Sequence, residues 1–171
     1  MSDAQQPSPR APRAPHWGAL GALAVATLAT AAVGAFASID AKDFYAALNQ
    51  PSWSPPPAVF GPVWSVLYVM MCVAAWLVVR RLGMPAAWPP LRLYAAQLVL
   101  NALWTWLFFR WHLGAIAVVE VLLLLTMVVA TARTFWRARP LAGWLMVPYI
   151  AWVGFASALT FAMWRLNPGV L

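Results

Sequence analysis

Five residues carry the strongest chemical signal in this chain. Tyr94, Gln97, Asn101, Trp104 and Phe108 recur at intervals of three, four, three and four, which is one face of a helix. The run that holds them is apolar enough for a membrane, where polar side chains are costly and mark either function or contacts between helices. Amides set among aromatic rings can hold a flat, hydrophobic ligand, the rings covering its faces and the amides orienting its polar atoms. The same amides could simply bridge helices; the density of rings beside them favours a ligand cavity. Glu120 is the only acidic residue inside an apolar run, and at that depth it must be protonated, paired or facing a polar space.

Two further stretches add to this face. From Pro51 to Tyr68 a proline-stiffened loop with Trp53 runs into an apolar segment that begins with Trp64, Ser65 and Tyr68. Proline fixes φ and removes backbone donors, so the loop is neither regular helix nor central strand and forms a stiff aromatic lip. Near the carboxy terminus come Tyr149, Trp152, Phe155, Ala156 and Leu159. Pro148 is expected to kink that helix and open room beside Tyr149 and Trp152. Taken singly, each aromatic is more readily explained by packing than by ligand contact.

Other chemistry finds no support. There is no pair of carboxylates for acid–base work, and no nucleophile elbow, phosphate loop or zinc spacing, so we assign no catalytic or metal-binding residue and no cofactor. The histidines, His16 and His112, fall outside or at the edge of the apolar runs, which argues against histidine-ligated haem inside a membrane. The single cysteine, Cys72, excludes an internal disulfide and reads as a buried, inert thiol. The net charge of +7 does not point to nucleic acid, because the arginines stand at the ends of apolar runs and form no patch.

The elements that position these residues follow from composition. Of 171 residues, 64% are hydrophobic and 9% charged, far below the roughly 25% charged residues of a soluble domain. We read an all-α membrane protein: a five-transmembrane-helix bundle with spans at Trp17–Ile39, Phe60–Leu82, Leu91–Phe109, Leu113–Phe135 and Leu141–Trp164. Residues 17–167 form one domain, and residues 1–16, with Pro7, Pro9, Pro12 and Pro15, a disordered tail. The spans are joined by about eight residues at 83–90, three at 110–112 and about five at 136–140, so neighbours run antiparallel. Between the first two spans a short amphipathic helix is expected within Asp40–Gln50, capped by Asp40 and sharing a face of Phe44, Ala47 and Leu48. Ala22, Ala26, Thr30 and Gly34 make a small-residue stripe for close helix approach, within the bundle or in a homodimer.

Charge sets the orientation. Eight arginines (Arg10, Arg13, Arg80, Arg81, Arg92, Arg133, Arg137, Arg139) fall on one face, against Lys42, Arg110 and Arg165 on the other. The amino terminus is therefore expected in the cytoplasm of a bacterial cell, with the Pro/Trp loop outside.

The motifs resemble those of the TspO/MBR family of tryptophan-rich sensory and translocator proteins, the peripheral-type benzodiazepine receptors. They are Leu48-Asn49-Gln50-Pro51-Ser52-Trp53-Ser54-Pro55-Pro56, Val59-Phe60-Gly61-Pro62-Val63-Trp64 with Leu67-Tyr68, and Tyr94-x-x-Gln97-Leu98 with Asn101-x-x-Trp104 and Phe108-Phe109. Pro148-Tyr149-x-x-Trp152, Phe155-Ala156 and Trp164-Arg165-Leu166-Asn167 complete the set. The resemblance implies a five-helix bundle that binds porphyrins such as protoporphyrin IX, and also sterols and drug-like hydrophobic ligands. It implies a pocket at Tyr45, Trp53, Trp64, Asn101, Trp104, Phe108, Trp152, Ala156 and Leu159, to which the residue reading adds Tyr68 and Gln97. Departures are Gln50 in place of lysine, Thr160 in place of asparagine, and Phe161 where the family's sterol motif has tyrosine.

The resulting expectation is a membrane protein that binds a porphyrin or another planar hydrophobic molecule, in sensing, regulation or transport. Its alternative is an enzyme that breaks porphyrins down with light and oxygen, tryptophans beside the bound sensitiser supplying electrons. The expected partners are the ligand and membrane lipid, with no nucleic acid.

Overall fold

The computed structural model describes residues 17–171; the stretch 1–16, with its tail reading, Arg10, Arg13 and His16, lies outside the described residues. Six α-helices and no strand occur among the described residues: α1 (Trp17–Ala37), α2 (Ala41–Ala47), α3 (Phe60–Leu82), α4 (Met84–Thr105), α5 (Gly114–Ala138) and α6 (Pro140–Leu166). Four helical stretches are long and apolar enough to cross a membrane, namely Trp17–Ala37, Pro57–Leu82, Gly114–Ala138 and Pro140–Leu166. α4, which contains most of the expected third span, is not among them. Pro89, Pro90, Arg92, Tyr94, Gln97 and Asn101 lower its hydropathy, yet Tyr94, Gln97 and Asn101 are buried against neighbouring helices.

Two connections are far tighter than expected. One residue, Gly83, separates α3 from α4 where a loop over 83–90 was expected. Its φ of +79° suits glycine; its N–H donates to Val79 O at 2.8 Å and its carbonyl accepts from Ala87 N at 2.9 Å, so it closes one helix and opens the next. Pro85 falls in the first turn, where no N–H bond is lost. Arg139 alone links α5 to α6, in extended conformation (φ −157°, ψ 116°), because the ring of Pro140 disfavours helix in the residue before it. α4 instead ends in a π-helical turn, Trp106–Arg110, followed by Trp111–Leu113, where His112 takes φ +53°.

The lid, formed by α2 and the Pro/Trp loop that follows it, also differs in detail. Asp40 precedes α2, but its side chain makes no capping bond; it pairs with Arg110 at 3.7 Å. The inward residues are Phe44, Tyr45 and Leu48, while Ala47 is exposed. Phe44 stacks on His112 with centroids 4.1 Å apart. Asn49 N donates to Asn167 Oδ1 at 2.8 Å and Asn167 Nδ2 returns a bond to Asn49 O at 3.0 Å, fastening the loop to the end of α6.

Large apolar side chains cover the outside of the bundle, while a few polar ones are buried in its mostly apolar core. Val25, Leu28, Val69, Val99 and Val119 are each at least 64% exposed, whereas Gln97, Asn101 and Thr131 are at most 1% exposed. α1 is the most loosely held long helix, burying only Thr27, Gly34 and Ala37. Its inner face therefore departs from the expected stripe: Ala22 and Ala26 are exposed, and Gly34 alone of the four is buried. Cys72 is half-buried, not buried.

Candidate functional site

Beneath the lid, between α1, α3 and the outer end of α4, lies a hollow of about 460 Å³. α3 contributes Phe60, Gly61, Trp64, Ser65 and Tyr68, with Pro57 just before it. From α4 and its π turn come Trp104, Thr105 and Phe109. Ala31, Gly34 and Ala35 of α1 form the opposite wall, with Ser38 just past its end and Ala41, Lys42 and Tyr45 closing the mouth. The hollow exists because α1 offers almost no side chain there. A Cβ on Gly34 would lie 3.6 Å from Thr105 Oγ1, so backbone and wall already approach closely at that level.

The aromatic wall is braced from behind. Trp64 packs against Tyr68 at 5.6 Å and edge-on to Tyr149 at 6.1 Å. Trp104 stacks on Phe108 at 5.9 Å, with planes 13° apart. Tyr68 donates its phenol proton to Asn101 Oδ1 at 2.6 Å, and Asn101 Nδ2 donates to Tyr149 Oη at 3.1 Å. This chain ties α3, α4 and α6 together and presets the Tyr68 ring against the hollow. Tyr45 is held by Ser54 and by donation to Pro55 O at 3.2 Å; burial pushes its phenol above the usual range, partly offset by the Ser54 bond.

The residues singled out from sequence divide into two groups. Tyr45, Trp64, Tyr68 and Trp104 line the hollow. Phe108 supports Trp104, and Asn101 stands one layer behind Tyr68 with its amide occupied. Gln97 is fully buried, its amide nitrogen near Met71 sulfur at 3.6 Å. The others collect on the α6 side: exposed Trp53 packs edge-on against Phe155 at 5.8 Å, Trp152 against Phe60 at 5.8 Å, and Ala156 and Leu159 are buried. Pro148 opens no room beside Tyr149, which is fully buried; Pro148 and Trp152 instead border a shallow apolar groove with Pro62, Val63 and Met70. Phe60, which touches both Tyr45 and Trp152, stands between the two groups.

Sequence reasoning missed the α1 wall. The available signal was a set of small residues at 31, 34, 35 and 38, which share a helical face. Glu120 lacks the interhelical hydrogen bond expected of a structural carboxyl: it is 6% exposed and neither carboxylate oxygen has a partner among the described residues.

The TspO/MBR family model matches residues 22–165, nearly the whole described chain. The human translocator protein is 41% identical over 128 residues, covering 74% of this chain and 76% of that protein. Protein CrtK of Rhodobacter capsulatus is 41% identical over 128 residues, covering 74% and 79%. The tryptophan-rich sensory protein of Cereibacter sphaeroides is 39% identical over 131 residues, covering 77% and 81%.

Proposed function

The chain belongs to the TspO/MBR family, and from that premise we propose that it binds a tetrapyrrole such as protoporphyrin IX in the hollow under its lid, in sensing, regulation or transport of that ligand. The observation that carries this reading is the hollow itself: a half-open space walled by Tyr45, Phe60, Trp64, Tyr68, Trp104 and Phe109 on one side and by small α1 residues on the other. Its volume falls in the range of pockets for drug-sized ligands, about 300–1,000 Å³. A flat macrocycle suits a slot with ring-bearing and side-chain-poor walls. The drug-like and sterol ligands implied by the family would compete for the same apolar surface.

We further propose that α4 with its π turn is a fifth crossing. Its polar residues point into the bundle, where Asn101, Tyr68, Tyr149, Tyr94 and Thr27 satisfy one another, so low hydropathy does not mean contact with water. The short links at Gly83 and Arg139 then put Arg80, Arg81, Arg137 and Arg139 on one side, which the positive-inside preference assigns to the cytoplasm. A cysteine introduced at Ser52 is expected to label from outside intact cells, and one at Gly83 only after permeabilisation; the reverse pattern would overturn the orientation.

Ligand binding is tested by titrating purified protein with protoporphyrin IX and following tryptophan fluorescence. Saturable quenching at a one-to-one ratio, weakened about tenfold in Trp64→Ala, is expected from loss of an aromatic wall. Quenching that never saturates, or is indifferent to Trp64, would contradict the proposal.

A further inference from the structure

The charge lining the hollow is lopsided. Ser38, Ser65 and Thr105 line it, yet each gives its hydroxyl proton to the carbonyl four residues earlier, at 2.9, 2.9 and 3.1 Å. Tyr68 gives its proton to Asn101. Among the described residues no carboxylate lines the space. The donors left over are the indole N–H of Trp64, the indole N–H of Trp104, which has no partner among the described residues, and the ammonium of Lys42.

Lys42 is the only cation in the lining, and it makes no ion pair among the described residues. Asp40 is engaged with Arg110. Asp43 directly follows Lys42 on α2, and adjacent residues of a helix do not face each other. Its four-carbon stem can lie along the apolar mouth while the charge stays at the membrane interface. Such an arrangement has one positive charge at its rim, no negative charge and an apolar interior.

We propose that the hollow selects apolar molecules that carry a carboxylate, holding the acid at Lys42 and the apolar body between Trp64 and the Ala31–Gly34–Ala35 wall. This rests on the tetrapyrrole reading and narrows it: acid outward, ring inward. The required chemistry is shared by a tetrapyrrole acid and by a free fatty acid of the surrounding bilayer. A carboxylate at the rim gains a charge-assisted bond to Lys42, whereas an esterified acid does not.

The experiment compares protoporphyrin IX with its dimethyl ester, by tryptophan quenching of the full chain in neutral detergent at low salt. The wild type is expected to prefer the diacid. Lys42→Ala should weaken diacid binding about three- to tenfold, leave the ester within about twofold, and be rescued by Lys42→Arg; added salt should erode the preference. Displacement of the ester by oleic acid but not by methyl oleate, dependent on Lys42, would support the same selection with lipid as the source. Equal binding of diacid and ester by the wild type, or equal losses for both in Lys42→Ala, would overturn the inference while leaving the tetrapyrrole reading in place. Failure of both porphyrins to bind the wild type would remove the inference and the tetrapyrrole reading together.

Discussion

Asn101 is the residue whose surroundings would suffer most from its loss. It accepts from Tyr68 and donates to Tyr149 inside the bundle, and it is 1% exposed. Asn101→Ala strands two phenols, and a buried polar group left unsatisfied costs about 1–3 kcal/mol. We expect a lower midpoint of thermal unfolding in detergent, together with weaker protoporphyrin binding through a misplaced Tyr68; an unchanged midpoint would show that the network is not structural. At this scale the sequence was informative about type and less so about role. The spacing of Tyr94, Gln97, Asn101 and Trp104 correctly placed them on one buried face. Whether an amide meets a ligand or another side chain depends on partners 33 and 48 residues away along the chain, which local periodicity does not encode.

The lid shows how elements combine. α2 has only seven residues and is too short to be stable alone, so its position must come from contacts. Those contacts are Asp40 with Arg110, Phe44 with His112 and Phe108, and the Asn49–Asn167 clasp. Asn167→Ala removes the clasp and leaves the Asn49 backbone without that partner. We expect faster amide exchange across residues 48–56 with little change in α3 or α5; uniform acceleration throughout the bundle would mean that the clasp holds more than the lid. The α3 boundaries were legible: the expected span Phe60–Leu82 is α3 itself. α4 was misjudged because Pro85, Pro89 and Pro90 looked like loop residues. A helix start tolerates proline in its first turn, and of the two that follow Pro90 is buried while Pro89 is exposed. The hollow was legible only on its aromatic side, because its other wall consists of side chains that are not there.

At the scale of the whole molecule, an apolar exterior and a hydrogen-bonded interior make sense only with lipid as the solvent. Within that frame α1 is distinctive: it buries three residues and supplies the wall that leaves space. The central claim is thus about which side of the bundle takes the ligand, the α1 side under the lid or the α6 side around Trp152. The most direct measurement is the affinity for protoporphyrin IX of two variants, each first shown to retain its helical circular dichroism. Ala31→Trp fills the hollow and is expected to weaken binding at least about tenfold, as a steric block should. Trp152→Ala is expected to stay within about twofold. Tight binding by Ala31→Trp together with loss in Trp152→Ala would contradict the account and move the site to α6.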